Sequence, residues 1–169
     1  MSGPPRIHSL RDASDFTLSD EQESQLLNEQ YECTLCWSNQ EGHPIAVVQA
    51  FAYLDGAFFL AADESRARVR AVRRDPRVSI AISGMGTAVG RSRSVAYKGK
   101  VDAVIDDRRT ILLVLAEIAR KYDPDDTATQ RAHVQAADHP GRVLLHVVPL
   151  RRTNSFDGSL ARGPRNVAQ

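Results

Sequence analysis

Residues 45–62 read Ile-Ala-Val-Val-Gln-Ala-Phe-Ala-Tyr-Leu-Asp-Gly-Ala-Phe-Phe-Leu-Ala-Ala. Two apolar runs, unbroken by proline or an internal glycine, flank Asp55-Gly56, a dipeptide suited to the positive backbone angles of a tight hairpin turn. The stretch predicts two antiparallel strands, Ile45–Leu54 and Ala57–Ala62. Upstream, Glu32–Ser38 reads as a strand that leads into a turn at Asn39–Pro44. Downstream, Val78, Ile80 and Ile82 alternate with Ser79, Ala81 and Ser83, the two-residue period of a half-buried strand. Alternation resumes after a Gly-rich loop, Gly84–Arg93, with Val95, Tyr97, Val101 and Ala103 on one face. Gly99 within that strand marks a bulge or a close backbone approach. Arg142–Val148 is the last strand, and Pro149 opens an irregular tail.

Helical spacing separates these strands. Ser19-Asp20-Glu21-Gln22 is a capping box that opens a helix to about Gln30. Val69 and Val72 mark one face of a helix stopped by Pro76. Ile111, Leu115, Ile118 and Tyr122 form the stripe of a helix over 108–122, and a weaker helix follows to about Asp138. Six strands with short, mostly antiparallel connections and inserted helices point to a mainly β chain closed as a barrel, not to a doubly wound parallel sheet. The expected organisation is an arm over residues 1–18, one domain over 19–158 and a tail over 159–169.

Several function classes fall away on composition. The net charge of +1 exerts no global pull toward nucleic acid or membrane. No apolar run reaches the roughly 18 residues of a membrane helix, and residues 1–16 lack the apolar segment of a signal peptide, so the cytoplasm is the expected compartment. Cys33 and Cys36 form a lone Cys-x-x-Cys within a strand, where residues three apart point to opposite faces, so no metal and no redox step is expected of them. The histidines are scattered without metal spacing. Gly84-Met85-Gly86 lacks the dinucleotide spacing and leads into a strand, leaving no helix N-terminus for a phosphate.

The segment 66–77 carries six arginines against one acid, Asp75. Three readings stand beside one another. It is a solvated helix face, as arginine-rich composition alone produces, or a nucleic-acid patch, although no aromatic platform interleaves it. The third is an anion site at a helix start directly after a strand, with Arg66 and Arg68 projecting to one side.

Ser65-Arg66-Ala67-Arg68 and Arg73-Arg74-Asp75-Pro76-Arg77-Val78-Ser79, placed after the hairpin, resemble the pyridoxamine-phosphate-oxidase-like FMN-binding split barrels. Glu41-Gly42-His43-Pro44-Ile45 and Tyr97-Lys98-Gly99-Lys100 continue the likeness over residues 20–158, and Arg151–Asp157 resembles the tails of the actinobacterial deazaflavin-using branch. The resemblance implies a six-stranded split barrel that forms a homodimer with cofactor sites at its interface. It places the cofactor phosphate on Arg68, with Ala67 standing where the family more usually has a basic residue and Arg66 compensating. It maps further cofactor contacts to Ala61, Ala62 and Ser94, and puts Gln49 on a strand that lines the ring. No vitamin B6 oxidase tail occurs. The implied function is hydride transfer between the cofactor and a small organic substrate, with coenzyme F420, a deazaflavin, preferred and FMN the alternative. Arg70, Arg73, Arg74, Arg91 and Arg93 would meet the acidic tail of that coenzyme, and Phe156 would cover the ring. The rival is a non-catalytic split barrel that holds a flavin or haem.

Overall fold

In the computed structural model, which describes residues 15–160, Ser19 and Gln22 close both bonds of the capping box, and α1 (Asp20–Glu29) begins there. Seven strands follow: β1 (Glu32–Ser38), β2 (Pro44–Ala50), β3 (Ala52–Leu54), β4 (Ala57–Asp63), β5 (Arg77–Ser83), β6 (Arg93–Ile105) and β7 (Arg142–Asp157). Between β4 and β5 lies α2 (Ala67–Arg74), and between β6 and β7 lie α3 (Arg108–Tyr122) and α4 (Thr127–Ala137). All pairings are antiparallel, in the order β2-β1-β5-β6-β7-β4-β3. The expected arm and tail fall mostly outside the described residues, although Leu18 is buried in the core and the Asp157 N–H donates to the Phe16 carbonyl.

Seven strands replace the expected six because the run 45–54 divides at Phe51. That residue is fully buried, and its N–H donates to the Tyr31 carbonyl instead of joining the ladder. The chain changes partner there: β2 pairs with β1, whereas β3 pairs with β4 at the opposite end of the strand order. One run of chain therefore supplies both edges, and the sheet curls to accommodate it.

The last strand also departs from expectation, continuing through Pro149 to Asp157. Pro149 sits opposite Gly99 at a register shift, and pairing with β4 has already ended at Val147, so its missing N–H falls where the ladder is interrupted. The close approach expected at Gly99 is present, since a Cβ there would lie 2.9 Å from Val147 Cγ1.

Alternation along 47–54 divides the core. Val47, Phe51 and Tyr53 face the barrel interior with Leu35, Phe58, Leu60 and Val95. Ala50, Ala52 and Leu54 face Ile111, Val114, Leu115 and Ile118 of α3. Elsewhere the outer surface of the sheet is bare. Val48 is 65% exposed, and its cross-strand neighbours Thr34, Ala81 and Ala96 are small and at most half-buried. Cys33 faces the interior and Cys36 the outer surface, as their spacing predicts. No helix among the described residues is long and apolar enough to cross a membrane.

Lys121, only 8% exposed, ties the helices to the barrel. Its Nζ donates to the carbonyls of Leu27 (2.7 Å) and Gln30 (3.1 Å) at the end of α1 and lies 4.2 Å from the Phe51 ring centroid. Burial pushes the ammonium down from 10.5 to about 8, while burial pushes the Cys33 thiol up to about 12. The signs are opposite. A depressed lysine penalises the folded state below its folded pKa, and that penalty is relieved as pH rises from 8 to 10.5. A raised thiol contributes stability that is lost above its unfolded value of 9.0. The two groups also act on each other, so the comparison of Lys121 with Lys121→Met is made in a Cys33→Ala background, where the thiol drops out. The deficit of the variant in urea unfolding is expected to widen between pH 7.5 and pH 10 by ~2 kcal/mol. A constant difference would show that Lys121 keeps its ordinary proton affinity.

Candidate functional site: an anion cradle at the head of helix α2

β4 ends at Asp63, whose carboxylate accepts from Arg66 Nε (3.2 Å) and lies 3.2 Å from Arg142 Nη1 and 2.9 Å from His139 Nε2. Burial opposes its charge, but Arg142, Arg66 and His139 together hold the carboxyl below the usual carboxylate range. Arg66 is the extended N-cap residue of α2 and makes no side-chain capping bond, so nothing from its side chain satisfies the first turn.

Two positions further, Arg68 has no such partner among the described residues. Its Nε is buried without a hydrogen bond, and burial together with the charge of Arg66 lowers its pKa from the ordinary guanidinium value. An uncompensated buried donor on a cation is costly, because water has been removed and nothing replaces it. Asp63 is shared by Arg66, Arg142 and Arg68, so one carboxylate faces three guanidinium groups and the head of α2 keeps net positive charge. Such an arrangement suits an anion.

Gln49 is a second orphan. It lies opposite Cys33 on the interior face of β2, and neither polar atom of its amide has a partner. The other expected residues are spread apart. Ala62 faces the barrel interior, whereas Ala61 faces the α3 layer, so the two do not share a surface. Ala61 is level with Ile105 across β7, while Ser94 lies eleven positions earlier on β6, opposite Ser83 and Phe156. One chain thus brings Arg66 and Arg68 together and leaves Ser94 at the far end of a strand.

Beside the cradle, a groove of about 700 Å³ runs between α2 and the β1–β2 turn, lined by Trp37, Glu41, Ile45, Ala67, Arg70 and Arg74 among others. The single methyl of Ala67 keeps it open. Arg70 and Arg74 donate to the carbonyls of Ser65 and Ser38 and keep their charges at its rim. Trp37 is a wall that sequence reasoning missed, although its place at the end of a strand beside the turn was legible. The other arginines expected on this track are elsewhere. Arg73 pairs with Glu64. Arg93 is locked to the buried Asp157 at 2.9 Å and donates to the Val89 carbonyl, because the strand that carries it runs along the tail strand β7.

No protein-family model matches this sequence, and no curated protein matches it. Solved structures do. A conserved hypothetical protein of Mycobacterium tuberculosis superposes with a TM-score of 0.74 at 22% identity, over 92% of this chain and 96% of that one. An F420 reductase matches with a TM-score of 0.60 at 18% identity, over 80% and 98% of the two chains. The haem-storage protein of Vibrio cholerae matches with a TM-score of 0.62 at 12% identity, over 82% and 96%. At these identities the likenesses establish the fold, which is the split barrel expected from the sequence.

Proposed function

We propose that this chain is an oxidoreductase that binds a flavin-type cofactor, holds the cofactor phosphate on Arg66 and Arg68, and works as a homodimer. The observation that carries the reading is the buried, unpartnered Nε of Arg68 beside Arg66 at the uncapped head of α2. A phosphate would accept from both guanidinium forks and from the first-turn N–H groups. A flavin or deazaflavin, when bound, supplies the hydride chemistry. The chain's own part is to fix the phosphate, orient the ring against the barrel and keep water from it.

Coenzyme F420 is the preferred cofactor and FMN the alternative. The groove begins beside the cradle, and its two arginines, Arg70 and Arg74, against one acid, Glu41, leave net positive charge for carboxylates beyond the phosphate, which FMN does not possess. In this reading the track is formed by these two arginines, since Arg73 and Arg93 are paired with Glu64 and Asp157. The bare outer surface around Val48, Thr34 and Ala81 is the face a second copy would cover, and Ser94 would join a site only from such a copy. The likeness to an F420 reductase supports this reading, and the likeness to a haem-storage protein supports the rival, a non-catalytic cofactor holder.

Parallel titrations of the apoprotein with F420, FMN and haem at low and moderate salt decide between them. F420 is expected to bind tightest and to weaken most as salt rises, because more charge pairs are screened. The loaded protein is expected to scatter light at twice the 18.6 kDa chain mass and to consume reduced cofactor when offered an organic acceptor. Tighter FMN binding would select the other flavin, and tighter haem binding without turnover would select the holder. A cofactor-loaded monomer would remove the shared site.

A further inference from the structure

We propose that the cleft between α3 and α4 is a second binding site, separate from the cradle, for a small aromatic alcohol. None of the side chains of α4 is fully buried. Val134 and Ala137 touch the α3 layer, and beside them remains a cleft of about 380 Å³ walled by Ile118, Ala119, Ala136 and Ala137, with Tyr122 and His133 lining it as well. That volume lies within the range of small-molecule pockets. The alanines create the space, since larger side chains at those positions would meet across it.

Polar clasps tie the two helices together at both ends of the cleft. At one end Gln130 Nε2 donates to the Asp123 carbonyl at 2.6 Å, and His133 Nδ1 lies 3.2 Å from Asp123 Oδ2. At the other, Arg108 Nη1 donates to Asp138 Oδ1 at 2.7 Å and Arg142 Nε to the Ala137 carbonyl at 2.8 Å.

The lining selects the occupant. Aliphatic walls on two sides accept a flat apolar body. His133 presents Nδ1 to the Asp123 carboxylate at 3.2 Å, so Nε2, which has no protein partner among the described residues, is the ring nitrogen left to accept from a ligand. Tyr122 holds that ring edge-on, with centroids 5.9 Å apart, and is itself stacked on Tyr31 at 4.2 Å. An acceptor at the rim of an apolar slot favours a ligand with one donor on a hydrocarbon ring, which is a phenol or naphthol.

The test uses 2-naphthol and naphthalene as probes, titrated by fluorescence into the full chain with excess FMN present. Saturable binding of 2-naphthol is expected. Ala136→Leu, which fills the cleft, should remove it while far-ultraviolet circular dichroism and the thermal midpoint stay unchanged or rise. His133→Phe keeps the ring against Tyr122 but lacks the acceptor. It should weaken 2-naphthol about fivefold, the order of one net hydrogen bond at a half-exposed group, and leave naphthalene within about twofold. Absence of binding, binding that survives Ala136→Leu, or equal loss of both probes in His133→Phe would overturn the proposal.

Discussion

Replacing Asp157 with alanine is expected to lower the unfolding free energy by about 3 kcal/mol, the order found when one member of a buried ion pair is removed. Its side chain is 1% exposed and joins three parts of the molecule. It accepts from Arg93 Nε on β6 (2.9 Å), from Gln22 Nε2 on α1 (3.3 Å) and from the Ser159 N–H (2.9 Å). Alanine leaves the Arg93 guanidinium, only 23% exposed, without its counter-charge. Through Arg93 the pair also holds the Gly84–Gly90 loop at the Val89 carbonyl, so the variant loosens that loop as well. Burial opposes the charge of Asp157, yet the bonds from Ser159 and Arg93 hold its carboxyl below the ordinary range. Its contribution is therefore present above the ordinary carboxylate pKa and fades as pH falls below it. Urea unfolding at pH 7 and pH 3 measures both effects. A loss under about 1 kcal/mol at pH 7 would mean that Arg93 finds water or another acceptor without difficulty.

The second large effect belongs to the cradle. Arg68→Ala is expected to weaken cofactor binding about tenfold or more, and the Arg66→Ala/Arg68→Ala pair about a hundredfold, on the usual worth of charge-assisted bonds. The two need not add, because one phosphate serves both. What distinguishes this prediction from general damage is the apoprotein. Removing Arg68 deletes a buried donor that has no partner, so the melting temperature without cofactor should stay level or rise slightly. Removing Arg66 costs little on its own, since its bond to Asp63 is an exposed pair. Parent-like affinity in Arg68→Ala would place the phosphate elsewhere on the barrel.

Much of this architecture was legible because it is set by neighbours in sequence. The capping box at Ser19, the Asp55-Gly56 turn and the stripe of α3 each depend on residues within a few positions of one another. The features that escaped depend on distant partners. Nothing local in an unbroken apolar run announces that Phe51 must leave the ladder, because the break follows from β1 and β4 standing at separate places in the sheet. Pro149 looked terminal because its tolerance rests on a register shift opposite Gly99. Arg93 looked free because its partner lies far along the chain. The separation of Ala61 from Ala62 was readable, since adjacent residues of any strand face opposite ways. The orphaned Nε of Arg68 was not, because burial of one atom is a property of packing.

The division at Phe51 bears on how the chain reaches this shape. β1 with β2 and β3 with β4 are two consecutive hairpins, each closed by a short turn, and both sides of the seam are therefore built from local pairings. Loop closure costs least there, so these hairpins can form early and cheaply. The pairings of β1 with β5 and of β4 with β7 join residues far apart along the chain and carry most of the closure entropy. Phe51, fully buried, is the residue at which one hairpin passes into the other. The slow part of folding is then the insertion of β5, β6 and β7 into a gap whose two sides were already set.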